Sequence, residues 1–141
     1  LMIDVILGFV KIEILIRLLF AFFLGGLIGY EREKTNHAAG LRTHILVCVT
    51  SAFLVTSASA LFVGEEPLAR VIAAIITGIG FLGAGSIIVL GDKVRGLTSA
   101  ATVWATAGLG IIVGSGVYFE AIVATILFLL ILKIRVGKKF K

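Results

Sequence analysis

Cysteine appears once in this chain, as Cys48, and proline once, as Pro67. A lone cysteine cannot close an internal disulfide, and no zinc-ligand spacing is read around it, so Cys48 reads as a buried, inert thiol. No nucleophile–base pair and no phosphate-cradling loop occurs, and enzymatic activity is not expected. "GIGFLG", from Gly78, has the spacing of a dinucleotide fingerprint, but inside an apolar run the strand–turn–helix unit it needs cannot form. No small-x-small cleavage site follows an apolar stretch, so the first apolar run reads as its own insertion signal. Charged residues are also scarce, at 15% of the chain.

What fills the chain instead is apolar. Of its 141 residues 60% are hydrophobic, and the mean hydropathy is +1.18. Runs of about 20 apolar residues recur, which makes this an integral membrane protein, short enough for one domain. The expected fold is all-α: a polytopic transmembrane helix bundle of about five spans forming a single domain over 1–141. The spans are read at about 12–30, 44–63, 69–90, 99–113 and 117–136, with Leu1–Val10 either lying at the interface or lengthening the first helix. The fourth is short for a hydrocarbon core of about 30 Å and must borrow residues from its flanks or lie where the bilayer is thinned.

The basic residues orient these spans. Arg32, Lys34, Arg42, Lys93, Arg95, Lys133, Arg135, Lys138, Lys139 and Lys141 fall on one side, ten of the thirteen Lys and Arg. Lys11, Arg17 and Arg70 fall on the other. Basic residues collect on the cytoplasmic side, so the N-terminus is expected outside and the C-terminus in the cytoplasm. The net charge of +5 is thereby explained without nucleic acid. A short internal repeat follows the same arrangement. "AGLRTH" opens the second span and "RGLTSA" the fourth, at equivalent ends of alternate helices; parallel repeats of this kind occur in transporters, but for a match of so few residues chance similarity is the simpler account.

Polar residues that can carry chemistry cluster at the ends of the spans. In the first loop, Glu31 can pair with Arg42 across the hairpin, or offer its carboxylate to a hard cation such as Mg²⁺, and Thr43 can cap the second helix. A solvated loop ordering its own charges is the plainer account. In the third loop, Asp92 can pair with Lys93 or Arg95, Thr98 or Ser99 can cap the fourth helix, and Asp92 and Glu31 share a side on which they can converge on one ion. Glu13 and Arg17 stand four residues apart on one face of the first helix, either as a functional intramembrane pair or as a pair snorkelling outward. Glu65 and Glu66 precede a helix start at Pro67, where negative charge suits the helix dipole and cation capture is the rarer alternative. Trp104 reads as a packing or interfacial residue.

Glycine is the residue in unexpected supply. "TGIGFLGAGS", Thr77–Ser86, holds Gly78, Gly80, Gly83 and Gly85 within a span. Either this helix is approached very closely or it is broken to expose carbonyls to a cavity. Small residues four apart also occur at Gly25–Gly29, Ala52–Thr56–Ala60, Gly80–Ala84 and Ala101–Ala105, which is the spacing that lets membrane helices touch backbone to backbone.

Four of these stretches, "RLLFAFFLGGLIGYERE", "AGLRTHILV", "GIGFLGAGSI" and "RGLTSAATVWATAGLGIIVGSG", resemble the MgtC/SapB family of bacterial inner-membrane proteins, in the family's order and over nearly the whole chain. The resemblance implies a membrane domain of about five helices in the bacterial inner membrane and a link to growth under magnesium limitation. Many members are labelled Mg²⁺ transporters. Others are read as small regulators acting on membrane partners, including the F-type ATP synthase and Mg²⁺ uptake systems. By motif, Arg17, Glu31, Arg32, Arg42, Thr43, Arg95 and Thr98 carry over, with Gly78, Gly80, Gly83 and Gly85. Many members continue into a soluble ACT-like domain, whereas this sequence stops at "KIRVGKKFK", as either a short member or a truncated piece of a longer one, and functions lodged in that domain stay open here.

Two functions from different classes therefore stand side by side. One is a transporter of Mg²⁺ or a related ion, held at Glu31 alone or at Glu31 with Asp92, and with no resident cofactor. The other is a regulator that transports nothing and docks a partner membrane protein through its small-residue faces. Either permits a homodimer, and the basic tail Lys133–Lys141 is suited to anionic lipid of the bilayer.

Overall fold

The computed structural model describes residues 2–134, with side chains from Lys11 onward. Five helices follow one another: α1 Met2–Lys34, α2 Leu41–Leu61, α3 Glu65–Ala84, α4 Leu97–Gly114 and α5 Tyr118–Lys133. Between α3 and α4 stand two short strands, β1 Ile88–Leu90 and β2 Lys93–Arg95. Four helices are long and apolar enough to cross a membrane: Lys11–Lys34 of α1, then α2, α3 and α4. α5 is equally apolar over 16 residues, about 24 Å of helix at 1.5 Å per residue. Residues 135 and 136 of the fifth expected span, and Arg135, Lys138, Lys139 and Lys141 of the basic tail, lie outside the described residues.

The segment before residue 11 lengthens the first helix, because α1 begins at Met2. Larger differences from the sequence reading appear at the third span. The apolar run to Leu90 does not continue as helix: α3 starts at Glu65, four residues before the expected Ala69, and ends at Ala84. Gly85 and Ser86 stop it, and the aliphatic residues that follow become β1. β1 pairs antiparallel with β2, Val89 opposite Val94, through a two-residue turn at Gly91 and Asp92. Gly91 has φ +59, the conformation such a turn demands of its first residue. Gly-Asp between two short aliphatic runs is the sequence signal for that hairpin. The fourth span gains residues at both ends, running Leu97–Gly114 rather than 99–113.

Helix starts are built differently from the expected caps. Thr43 lies inside α2, whose N-cap is Gly40, and the carboxylate Oε2 of Glu33 accepts the Leu41 N–H at 2.7 Å. The cap therefore comes from the preceding helix. Thr98 and Ser99 lie inside α4, whose N-cap is Gly96 at φ +86. The two Gly-Leu dipeptides of the short repeat thus occupy the same place, N-cap and first helical residue, with different backbone conformations. At α3, Glu65 and Glu66 form the first turn, and Pro67 falls where the N–H has no intrahelical acceptor to lose.

Glycine sets the packing of the bundle. α2 lies between α1 and α4, and both approach it through glycines. A Cβ on Gly25 would stand 2.7 Å from Cys48 Cβ, and one on Gly29 would stand 2.7 Å from Leu41 Cα. From the other side, a Cβ on Gly110 would stand 2.3 Å from the Cys48 carbonyl oxygen, and one on Gly114 would stand 2.7 Å from that of Ala52. Only hydrogen fits at these four positions. Cys48 is fully buried between the two glycine pairs, together with Ala21, Leu24, Ile28, Leu109 and Val113. Phe20 and Tyr118 meet edge to face with ring centroids 5.2 Å apart, holding α5 to α1. α3 attaches from the side through Ile79, which packs with Val47, Val103 and Ala107.

Candidate functional site

Two polar clusters terminate the packed core. At the end where α1 finishes and α2 begins, Arg32 is 2% exposed and His44 is fully buried. Helical spacing and the close approach at Gly29 bring them there: a Cβ on Gly29 would lie 3.1 Å from that of His44. The His44 Nδ1–H donates to the Gly40 carbonyl at 2.8 Å. Its proton is thereby placed on Nδ1, and Nε2 is left as a bare acceptor inside the protein. Arg32 meets the Glu31 carboxylate at 3.7 Å, while its Nε and Nη2, the edge that ordinarily binds carboxylate or phosphate side-on, take no partner from the protein. Glu31, Arg32 and His44 are therefore three ionisable side chains at the end of a spanning helix pair, and only one contact joins two of them.

The expected Glu31–Arg42 pair is replaced by Glu31–Arg32. Arg42 and Thr43 are exposed and line a polar cavity of about 360 Å³ with Glu33, His37 and Gly40. Thr43 also lines a second cavity, about 300 Å³, whose other walls include Ala39, Leu82, Gly85 and Ser86. The first-loop motif and the end of the glycine-rich helix thus meet at one end of the bundle. Arg95 and Asp92 are exposed on the hairpin, and Thr98 borders an apolar groove with Ile28, Ala101, Trp104 and Phe128. Among the described residues, no group of three or more His, Cys, Asp or Glu side chains is placed to hold a metal ion. The guanidinium beside Glu31 already supplies the positive charge that a cation would bring to that carboxylate.

At the opposite end Arg17 closes a different cluster. It forms an i,i+4 ion pair with Glu13, on the face where the spacing places them, and donates to the Gly114 carbonyl at the end of α4. Thr56 Oγ1 donates to the same carbonyl at 3.2 Å. Gly116, at φ +80, leaves room for the guanidinium: a Cβ there would lie 3.1 Å from Arg17 Nη2. Arg17 is a tie between α1 and α4 that satisfies a helix-end carbonyl.

The glycine question has a divided answer. α3 is continuous through Gly78, Gly80 and Gly83, so no broken segment lies within the span. Gly83 packs against Ala100, 3.3 Å from its carbonyl oxygen to a Cβ position, and Gly85 is the C-cap of α3, its N–H still donating to the Phe81 carbonyl. Gly78 and Gly80 have nothing within 4 Å of a Cβ position. Of the expected small-residue faces, Gly25–Gly29 and Ala52–Thr56 are internal contacts, whereas Ala60, Gly80, Ala84 and Ala101 are exposed. The sequence reading passed over Gly110–Gly114, which has the same four-residue spacing, and treated His44 only as the first residue of a span.

The MgtC family model matches residues 18–138 of this chain. Protein MgtC of Brucella abortus is 50% identical over 106 residues, 75% of this chain and 44% of that protein. YhiD of Escherichia coli K12, a conjectured magnesium transporter by name, is 41% identical over 130 residues, 86% of this chain and 60% of its own length. Protein MgtC of Salmonella typhimurium is 44% identical over 115 residues, 82% of this chain and 49% of that protein. The chain spans about half the length of the curated relatives it matches. No solved structure matches it.

Proposed function

The chain belongs to the MgtC family, and from that premise we propose that it serves magnesium homeostasis in the bacterial inner membrane by docking onto another membrane protein. The observation that carries this reading is the outward side of α3. Only 17% of that span is buried in the bundle, against 56% for α4. Its Gly78 and Gly80 leave backbone open to the bilayer. Apolar burial gains little in lipid, so close backbone contact is what associates membrane helices, and open glycines on a spanning helix offer it. In this reading the Arg32 end, which carries most of the basic residues, faces the cytoplasm. On the family resemblance, the partner is the F-type ATP synthase or a Mg²⁺ uptake system.

The transport reading rests on Glu31, Arg32 and His44. Ionisable groups buried at the end of a spanning helix pair are costly and are retained for a use. One pair of experiments separates the two. Mg²⁺ flux into liposomes carrying the purified chain is measured beside empty liposomes and Glu31→Gln. Co-purification with the ATP synthase or the uptake system is measured for the native chain and for Gly78→Leu with Gly80→Leu. Docking predicts no saturable flux and loss of co-purification in the glycine variant. Saturable flux that disappears in Glu31→Gln would overturn docking in favour of transport.

A further inference from the structure

The β1–β2 hairpin is where the fold exposes most aliphatic surface outside a helix. Ile88, Val89, Leu90 and Val94 are 51–65% exposed. The register puts Val89 and Val94 on one face, and Ile88 and Leu90 on the other beside Arg95 and Lys93. Among the described residues neither Lys93 nor Arg95 enters an ion pair. Chain connection fixes the ribbon's depth. Three residues separate it from the end of α3, and Gly96 alone separates it from α4. A Cβ on Gly96 would stand 1.8 Å from the Ser86 carbonyl oxygen, so the ribbon's base is closed tightly over the helix ends. Strands of three residues reach about 10 Å. The interfacial layer of a bilayer leaflet is about 5–8 Å thick.

These constraints leave one comfortable location. The outer edges of a two-stranded ribbon carry backbone groups that need water or headgroups, so it cannot sink into hydrocarbon. Pointing away from the bilayer, it would hold its aliphatic side chains in water. The geometry points to a ribbon lying flat at the boundary of headgroups and acyl chains, with Val89 and Val94 against the acyl chains and Lys93 and Arg95, on the opposite face, binding the phosphates of anionic lipids. The hairpin is thus a lipid-headgroup site, independent of whichever protein α3 contacts.

The test uses the whole chain in vesicles of phosphatidylcholine with phosphatidylglycerol. Cys48 is the only cysteine, so a Cys48→Ala background accepts a single nitroxide at Val94→Cys, with Lys34→Cys as the water reference. Collision with oxygen and with a water-soluble nickel chelate reads depth. Lipid choice is read by energy transfer from Trp104, the only tryptophan, which is 53% exposed about two turns into α4. The acceptor is dansyl-phosphatidylglycerol or dansyl-phosphatidylcholine. The proposal expects the Val94 label to relax mainly by oxygen. It also expects Lys93→Gln and Arg95→Gln each to lower the preference for phosphatidylglycerol by about fivefold. Chelate-dominated relaxation at Val94, as at Lys34, would overturn it and mark a ribbon facing water or a soluble partner. So would an unchanged lipid preference in the double variant.

Discussion

At the scale of the residue, one amino acid does opposite things in this chain depending on the side of the helix it occupies. Gly110 has the Cys48 carbonyl oxygen 2.3 Å and Ser51 Cβ 2.8 Å from where a Cβ would be, while Gly80 has open space. Gly110→Ala is expected to destabilise the bundle by about 1–3 kcal/mol, the usual cost of overpacking. Gly80→Ala is expected to leave stability within about 1 kcal/mol of the parent, or raise it through helix propensity. Denaturant unfolding in micelles, followed by Trp104 fluorescence, compares the two; equal losses would refute the assignment of faces. Arg17 offers a second contrast. Arg17→Met removes a charged donor to the Gly114 carbonyl, and a loss of about 1.5–3 kcal/mol is expected in the same assay. Glu13→Gln should cost under about 1 kcal/mol, since Glu13 is 57% exposed and water screens its pairing.

At the scale of the element, the helix starts depend on neighbours. α2 begins at a glycine with no side-chain cap of its own and borrows the Glu33 carboxylate from α1. Glu33→Ala is expected to loosen the first turn of α2 by about 1 kcal/mol. Hydrogen exchange at the Leu41 amide should then quicken, whereas Glu33→Gln, which keeps an acceptor oxygen, should stay near the parent. Unchanged exchange in Glu33→Ala would rule out the borrowed cap. The hairpin depends on Gly96, whose φ of +86 and contact with Ser86 admit no side chain. Gly96→Val is expected to unseat the start of α4 and to appear as lost thermal stability together with protease cleavage between 85 and 97; a resistant variant would contradict the tight base.

At the scale of the whole molecule, α1, α2 and α4 form a close-packed centre, with α5 and α3 attached to it unequally. The core joins α1, α2 and α4 through Leu24, Cys48 and Leu109, and reaches α5 at Ala121. α3 is held chiefly by the buried Ile79 and Gly83, with Ile75 half-buried beside them. The membrane class, the number of helices and their order were legible in the sequence, because apolar runs of spanning length and the charges between them report directly on transfer from water to lipid. The Glu13–Arg17 pair was legible too, since helical spacing alone brings residues four apart together. The hairpin escaped because Ile88–Leu90 reads as more of the same apolar run until Gly91-Asp92 is recognised as a turn. Gly110–Gly114 escaped because "AGLGIIVGSG" offers several small-residue registers. Only the rotation of α4 about its axis decides which one meets α2.

The sequence by itself determined that this chain lives in a bilayer as a helical bundle, since hydrophobic length and charge placement are properties of consecutive residues. The tertiary structure decided which glycines are contacts and which are open surface, and that Arg32 is buried beside Glu31 and His44 while Arg42 is exposed. It also decided that Arg17 ties α1 to α4. The physical reason is the same in each case. Local spacing gives every helical residue a direction relative to its own axis, but only packing against other helices chooses which direction becomes the interior.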